Sequence, residues 1–244
     1  MRQLRSMRDL SGYTLHARDG DIGKVREIYF DDQNWKVRYF AVHTGGWLLG
    51  QDVLILPEMI DKVDEDDRRI DVKLNREQIR HCPPTEKQVP VSRHYEREFY
   101  RYYDWEPYWG ADPLFGPGPG IPPLAADDEP QEPEHPHLRS SAEVTGYSIR
   151  AQDGEFGTVR DFIIEDPGWT VRYLDVATGR WLFGKDVLMA CAWIEGVDWS
   201  EKNVAIALTR EAIETAPAYD ASQVISREYQ IELYKHYGMQ FDND

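Results

Sequence analysis

The sequence predicts a mainly β protein made of two small, partly open β-barrels of about six strands each, each barrel followed by short helices. Two observations carry this prediction. The chain of 244 residues repeats itself at an offset of 134 positions. Within each copy, short apolar runs are separated by turn residues at intervals of about eight to twelve residues, which is typical of small all-β units.

The repeat begins at Leu4 and Leu138, where LRSMRDLSGYTLHARDGDIGKVREIYFDD matches LRSSAEVTGYSIRAQDGEFGTVRDFIIED. It continues without a gap through WKVRYFAVHTGGWLLGQDVL and WTVRYLDVATGRWLFGKDVL. Roughly 39 identities in about 100 aligned pairs exceed chance, so duplication of one domain is the simplest cause. We therefore predict a first domain at residues 1–103, a linker at 104–137 and a second domain at 138–244.

The predicted linker differs in composition from the two copies. It contains nine of the fifteen prolines and eight acidic residues, with no Lys or Arg. Proline fixes φ and removes a hydrogen-bond donor, so neither a sheet nor a helix interior is expected there. The composition predicts an extended, semi-rigid acidic connection.

Six strands are expected in the first copy, at 13–17, 22–30, 35–42, 47–56, 59–63 and 69–74, with equivalents in the second copy. Gly23 and Gly157 lie just inside the second strand of each copy, where a glycine often marks a bulge or a close backbone approach.

Two short helices are expected after the strands of each copy. Asn75 is the expected N-cap of the first helix. In the second helix the helical spacing of Tyr95, Phe99 and Tyr103 favours packing of this aromatic stripe on the barrel.

The formal net charge of −16 disfavours nucleic-acid binding through a basic groove and disfavours anionic membrane surfaces. About half of this charge falls in the linker, so the folded parts are only mildly acidic. No apolar run approaches the length of a membrane span, and the first residues, MRQLRSMRDL, do not read as a secretory signal. Cys82 and Cys191 occupy non-equivalent positions, which favours two free thiols in a reducing compartment. We expect a cytoplasmic protein without membrane insertion.

The stretch from Leu10 to Leu74 resembles a PRC-barrel domain, as does Val144 to Leu208. The resemblance is carried by DGDIGKVREIYFD, WKVRYFAVHTGGW and WLLGQDVLIL, and by their counterparts in the second copy. The tails SRHYEREFYRYYDWEPYW and SREYQIELYKHYGM resemble those that follow the barrel in bacterial stand-alone members.

That family includes the cytoplasmic domain of the photosynthetic reaction-centre H subunit and the C-terminal domain of a ribosome maturation factor. Both are β-barrels that bind other macromolecules. The resemblance implies a six-stranded, partly open barrel and a protein-interaction role, and it does not identify a partner.

Charged residues that recur in both copies form one set of candidate site residues. Arg26, Arg38 and Asp52 recur as Arg160, Arg172 and Asp186. An arginine within an apolar strand favours a carboxylate partner, so these residues are predicted to form structural ion pairs or, alternatively, an anion site.

Four tryptophans at strand starts form the other set, Trp35, Trp47, Trp169 and Trp181. Exposed tryptophans at strand ends are natural interface anchors, so these are candidate partner-binding residues. The alternative is packing at the barrel ends.

No P-loop, dinucleotide-binding, zinc-protease or nucleophile-elbow motif occurs in the sequence. We therefore expect a non-catalytic interaction or scaffolding protein with no cofactor and no metal. The expected partner is another protein, with homo-oligomerisation or an intramolecular pseudo-dimer as further possibilities. The alternatives are an RNA- or ribosome-associated maturation factor, and a small-molecule or metal-binding sensor.

Overall fold

A computed structural model of the protein describes residues 2–48, 50–83, 93–105, 107, 137–178 and 185–241. Nearly all of the predicted linker, at 106 and 108–136, lies outside the described residues. The elements of the first half are β1 (Gln3–Ser6), α1 (Met7–Leu10), β2 (Thr14–Ala17), β3 (Gly20–Asp31), β4 (Val37–His43), β5 (Asp52–Ile55), β6 (Ile60–Asp64), β7 (Arg69–Val72), α2 (Arg76–Arg80) and α3 (Arg93–Tyr102). Those of the second half are β8 (Leu138–Ser140), α4 (Ser141–Val144), β9 (Ser148–Ala151), β10 (Gly154–Asp166), β11 (Thr170–Ala177), β12 (Asp186–Ala190), β13 (Ile194–Asp198), β14 (Asn203–Ile206), α5 (Arg210–Glu214) and α6 (Arg227–His236).

The strands form two seven-stranded sheets of equivalent topology. One has the order β5-β4-β3-β2-β7-β6 with β8 added on β3, and the other has the order β12-β11-β10-β9-β14-β13 with β1 added on β10. Neighbours are antiparallel except for the parallel pairs β2–β7 and β9–β14. The mainly β fold with short following helices is confirmed. Each sheet takes six strands from its own half, and it is not closed into a barrel, since no ladder joins its two end strands within the described ranges.

The seventh strand of each sheet comes from the other half of the chain. In β1, Gln3 lies opposite Asp166 of β10, and in β8, Leu138 lies opposite Asp31 of β3. The two strands are equivalent in the repeat, so the exchange is reciprocal. The predicted domain boundary at 138 therefore precedes a strand that belongs to the sheet of the first half.

The two halves also meet at the turns between β3 and β4 and between β10 and β11. Lys36 and Thr170, which are equivalent in the repeat, bridge each other in antiparallel fashion. The flanking backbone bonds are reciprocal at 2.8 Å, from Val37 N–H to the Trp169 carbonyl and from Val171 N–H to the Trp35 carbonyl. A local twofold relation therefore connects the halves at this point, as in an isologous dimer interface. We call the region of the two exchanged strands and these two turns the junction.

The exchanged strands end at serines that contact a carboxylate of the opposite half. Ser6 caps α1 by accepting a hydrogen bond from Asp9 N–H, and its hydroxyl donates to the Asp161 carboxylate. In the same way, the Ser140 hydroxyl donates to Glu27. These side-chain bonds supplement the few backbone bonds that strands of four and three residues can make.

Arginines within the exchanged strands add a second reciprocal contact. Arg5 Nε lies 3.1 Å from an Asp166 oxygen and Arg139 Nε lies 3.2 Å from an Asp32 oxygen. The Arg5 side chain is only 8% exposed, and it also contacts Glu65. Removing a largely buried guanidinium leaves its carboxylate partners without compensation, which usually costs more than the loss of an exposed ion pair.

We expect Arg5→Ala to lower the free energy of unfolding by about 1–3 kcal/mol in urea titrations at neutral pH, because it removes this buried guanidinium. Arg8→Ala is the control. This substitution also removes one arginine, three residues further along the chain in α1. Because the Arg8 side chain is exposed, we expect the free energy of unfolding to change by no more than about 0.5 kcal/mol. Equal effects of the two substitutions would contradict a structural role for Arg5.

The helices after each set of strands pack as expected. The Asn75 side chain accepts from Gln78 N–H and α2 begins with a full capping box. In α3, Phe99 is fully buried, Tyr95 is buried and Tyr103 packs on the core. The aromatic stripe therefore holds the helix on its sheet.

One predicted strand is wrong in part. The stretch 47–56 was expected to be extended, but a 3-10 helix runs over Gly45–Leu48 and the strand is limited to Asp52–Ile55. Gly45 and Gly50 have φ of +61° and +69°, and Gly50 N–H donates to the Gly45 carbonyl at 2.6 Å. Two glycines in the left-handed region close a loop, which interrupts the strand.

Candidate functional site

Arg38 and Asp52 each form an ion pair, with different partners. Arg38 Nη2 lies 2.7 Å from Asp31, whereas Asp52 lies 2.8 Å from both Arg26 Nη1 and His43 Nδ1. The physical reason is the position of each residue along β4. Arg38 stands at the start of this strand, and Asp52 pairs with its last residue, about five residues or roughly 16 Å away.

Arg172 and Asp186 likewise have different partners in the second half. Arg172 Nε is 3.9 Å from Glu165, and Asp186 contacts Arg160 Nη1 at 2.5 Å. In both halves the arginine that reaches the β5 or β12 aspartate comes from the long strand β3 or β10, one strand beyond the direct neighbour of β5 or β12. Arg26 and Arg160 belong to the set of charged residues that recur in both copies of the sequence.

Two of the four candidate tryptophans lie at the junction. The Trp35 ring stacks on Phe30 at 5.3 Å, and Trp169 packs edge-on against Phe40 of the other half at 5.0 Å. Trp169 is only 8% exposed, so little of its ring is accessible to an external partner. Trp47 starts no strand and belongs to the 3-10 helix, while Trp181 lies outside the described residues.

The second half contains a group of buried carboxylates that sequence reasoning missed. Asp175 is 1% exposed and accepts from Arg160 Nε at 3.0 Å, while its second oxygen has no hydrogen-bond partner within the described part of the chain. Burial raises the pKa of Asp175 to about 6, despite the opposing effect of Arg160. Burial also raises the pKa of Asp161. The first half has Ala41 in place of Asp175, so this group is specific to the second half.

We expect the contribution of Asp175 to protein stability, measured as the difference between the wild type and Asp175→Asn, to rise as pH is lowered from about 7 to about 4, because Asp175 binds a proton more tightly in the folded state than in the unfolded state. A carboxyl with a raised folded-state pKa destabilises the fold when ionised, and this penalty is relieved as pH falls through about 6. The shift corresponds to at most about 3 kcal/mol. Urea titrations at several pH values should show this gain in the wild type and its loss in Asp175→Asn. Glu195→Gln, a substitution at an exposed site, should retain the gain in stability at low pH. If Asp175→Asn showed the same pH dependence of stability as the wild type, the gain would not come from Asp175.

A cleft of about 1090 Å³ lies beside the junction, with walls from both halves. Three cationic side chains line it, namely Arg2, Lys36 and Arg172, together with Glu165. A concave surface with excess positive charge is suited to an anionic ligand. Among the candidate charged residues and tryptophans predicted from the sequence, Arg172 is the one that lines this cleft within the described residues.

Neither a metal centre nor a reactive thiol is evident in the part of the chain that the structure describes. No group of three or more His, Cys, Asp or Glu side chains is positioned to hold a metal ion there. Cys82 and Cys191 are free and buried, and burial raises the pKa of Cys82 to about 12. None of the described helices is both long and apolar enough to cross a membrane.

Comparison with known proteins identifies the family of the first half. The family model described as PRC-barrel domain matches residues 5–79, which extend from the exchanged strand β1 to the end of α2. No curated protein matches the chain. The resemblance inferred from the strand and turn motifs of the first copy is confirmed, and the chain therefore contains a PRC-barrel domain at residues 5–79.

Proposed function

We propose that the protein is a non-catalytic scaffold in which two PRC-barrel domains form an intramolecular pseudo-dimer that binds a protein partner. The reciprocal exchange of β1 and β8 carries this proposal. The exchange joins the halves into one composite surface, and a duplicated domain that is joined in this way needs no second chain to complete its interface. The second half has the same strand order as the first, which supports its assignment as a second PRC-barrel domain.

The nucleophiles and bases of the described residues support a non-catalytic role. The two cysteine thiols are buried with raised pKa values, a state in which thiols are unreactive. Two exposed histidines lie beside carboxylates, in the pairs His16–Asp21 and His43–Asp52. Arg150 and Ala177 replace these histidines in the second half, so neither pair is a feature of the repeated domain. The buried Asp175 is held against Arg160, away from solvent.

The test is affinity capture with the tagged full-length chain from a lysate of its own host, with and without nuclease, followed by calorimetry with the purified partner. We expect one dominant protein that survives nuclease and binds with one partner per chain, because both halves contribute to one surface. Two partners per chain would contradict the composite surface. Ribosomal proteins lost on nuclease treatment would instead favour the RNA-associated alternative.

A further inference from the structure

The cleft beside the junction carries a local excess of positive charge in a strongly acidic chain. Arg2 precedes the exchanged strand, Lys36 belongs to the first half and Arg172 lies on β11. Glu165 is the one carboxylate among the described lining residues. The cleft therefore has a formal surplus of two positive charges, whereas the whole chain carries −16. Such a local reversal of charge concentrates anionic groups at the cleft.

These cations are only weakly neutralised within the protein. Arg2 Nε and Arg172 Nε lie 3.6 and 3.9 Å from different oxygens of Glu165, longer than a typical charge-assisted hydrogen bond. Their side chains are 58% and 40% exposed. The Lys36 ammonium donates to the Gly168 carbonyl at 2.9 Å, and no carboxylate of the described residues forms a salt bridge with it. All three cationic groups can therefore accept an anionic ligand.

The first half provides an internal comparison. Arg38, the counterpart of Arg172, contacts Asp31 at 2.7 Å, and the two side chains are only 16% and 8% exposed. Glu58 occupies the position of Ala192, one of the cleft-lining residues. The equivalent surface around Arg38 therefore has its arginine paired and an additional acid, so it lacks the charge surplus of the cleft.

The remaining walls of the cleft are partly apolar. Trp193, Tyr234 and Met239 contribute to the lining, and Met239 is 39% exposed. We propose that the cleft binds an acidic peptide segment of a partner protein, with carboxylates on the three cations and one apolar side chain against this wall. Arg2 and Arg172 flank the Glu165 carboxylate, whereas Lys36 donates to the Gly168 carbonyl. The cations stand on separate segments, which suits carboxylates spaced along a chain. This inference rests on the proposed scaffold function and assigns the chemistry of its partner.

The experiment is phage selection of random decapeptides on the immobilised full-length chain at low ionic strength. It is repeated on the double variant Lys36→Gln/Arg172→Gln and on Lys24→Gln. Lys24 is a matched control, because its exposed ammonium also donates to a carbonyl, that of Gly12, at 3.0 Å. The best peptide is then synthesised with a fluorophore and titrated by anisotropy, and circular dichroism melts verify that each variant is folded.

We expect peptides enriched in Asp and Glu with one apolar residue, and binding weakened about tenfold or more by the double variant and by 0.3 M salt. Lys24→Gln should bind as the wild type does, and Arg172→Lys should retain most of the affinity. The inference is overturned by selection without acidic enrichment, by equal binding to the double variant, or by complete competition from millimolar inorganic phosphate. If the captured partner binds the double variant normally, the cleft assignment fails while the scaffold function stands.

Discussion

Gly23→Ala is expected to lower the free energy of unfolding by at least about 3 kcal/mol in urea titrations. A Cβ at this position would lie 2.0 Å from the carbonyl oxygen of His43, which is backbone and has no rotamer to change. The site is a β-bulge, because the pairing of β2 with β3 shifts register beside Gly23. The added methyl would therefore separate β3 from β4, the pair with the longest ladder in this sheet.

Gly157→Ala should behave similarly, since its Cβ would lie 2.5 Å from the Ala177 carbonyl oxygen and its φ is +63°. The matched controls are Gly46→Ala in the first half and Gly196→Ala in the second, where an added Cβ meets no atom within 4 Å. Changes within about 1 kcal/mol are expected for these controls. A change in the free energy of unfolding of less than about 1 kcal/mol for Gly23→Ala would contradict the close approach of β3 to the His43 carbonyl.

Phe162→Ala and Phe30→Ala are expected to cost about 3–5 kcal/mol each, because both rings are fully buried. Their centroids are 5.5 Å apart, and the two residues belong to different halves of the chain. In a double-mutant cycle by urea unfolding, we expect a coupling energy of about 0.5–1.5 kcal/mol, the range of buried aromatic pairs.

The control cycle combines Phe162→Ala with Phe99→Ala. Phe99 is also fully buried, but its ring contacts Tyr39 and Tyr95 within the first half. These two substitutions should be additive within about 0.5 kcal/mol. Additivity of the Phe30–Phe162 pair as well would mean that the halves do not pack on each other through these rings.

The strand pattern was largely predictable because it depends on local signals. Alternating apolar residues, the Asp19–Gly20 turn and the bulge glycine determine where β2 and β3 begin and end. The exchange of β1 was not predictable. Its four residues, QLRS, are mostly polar, and because β3 and β10 are similar in sequence, the local pattern does not indicate which of them β1 joins. Only the three-dimensional arrangement decides between them.

The candidate site was less predictable than the fold, because partner choice depends on register. Sequence spacing placed an arginine and an aspartate on neighbouring strands, but bulges at Arg26 and Arg160 direct those residues toward Asp52 and Asp186. The burial of Asp175 had no signal in the sequence, since an aspartate within a strand is usually solvated. The cationic cleft combines residues 2, 36 and 172, which are distant in the chain and meet only through the junction.

The first strand of each half lies in the sheet of the other half. Backbone amide hydrogen exchange of the full-length chain, followed by NMR at Arg5, tests this exchange of strands. An edge strand bonds its one neighbour through alternate amides only. Asp32 N–H donates to the His137 carbonyl, so the next bonded amide of β8 is that of Arg139, and its counterpart in β1 is Arg5. We expect protection of the Arg5 amide at the level of β10, and a parallel loss of protection in Phe162→Ala. Exchange of the Arg5 amide at its intrinsic rate, with β10 fully protected, would show that β1 is not paired with β10.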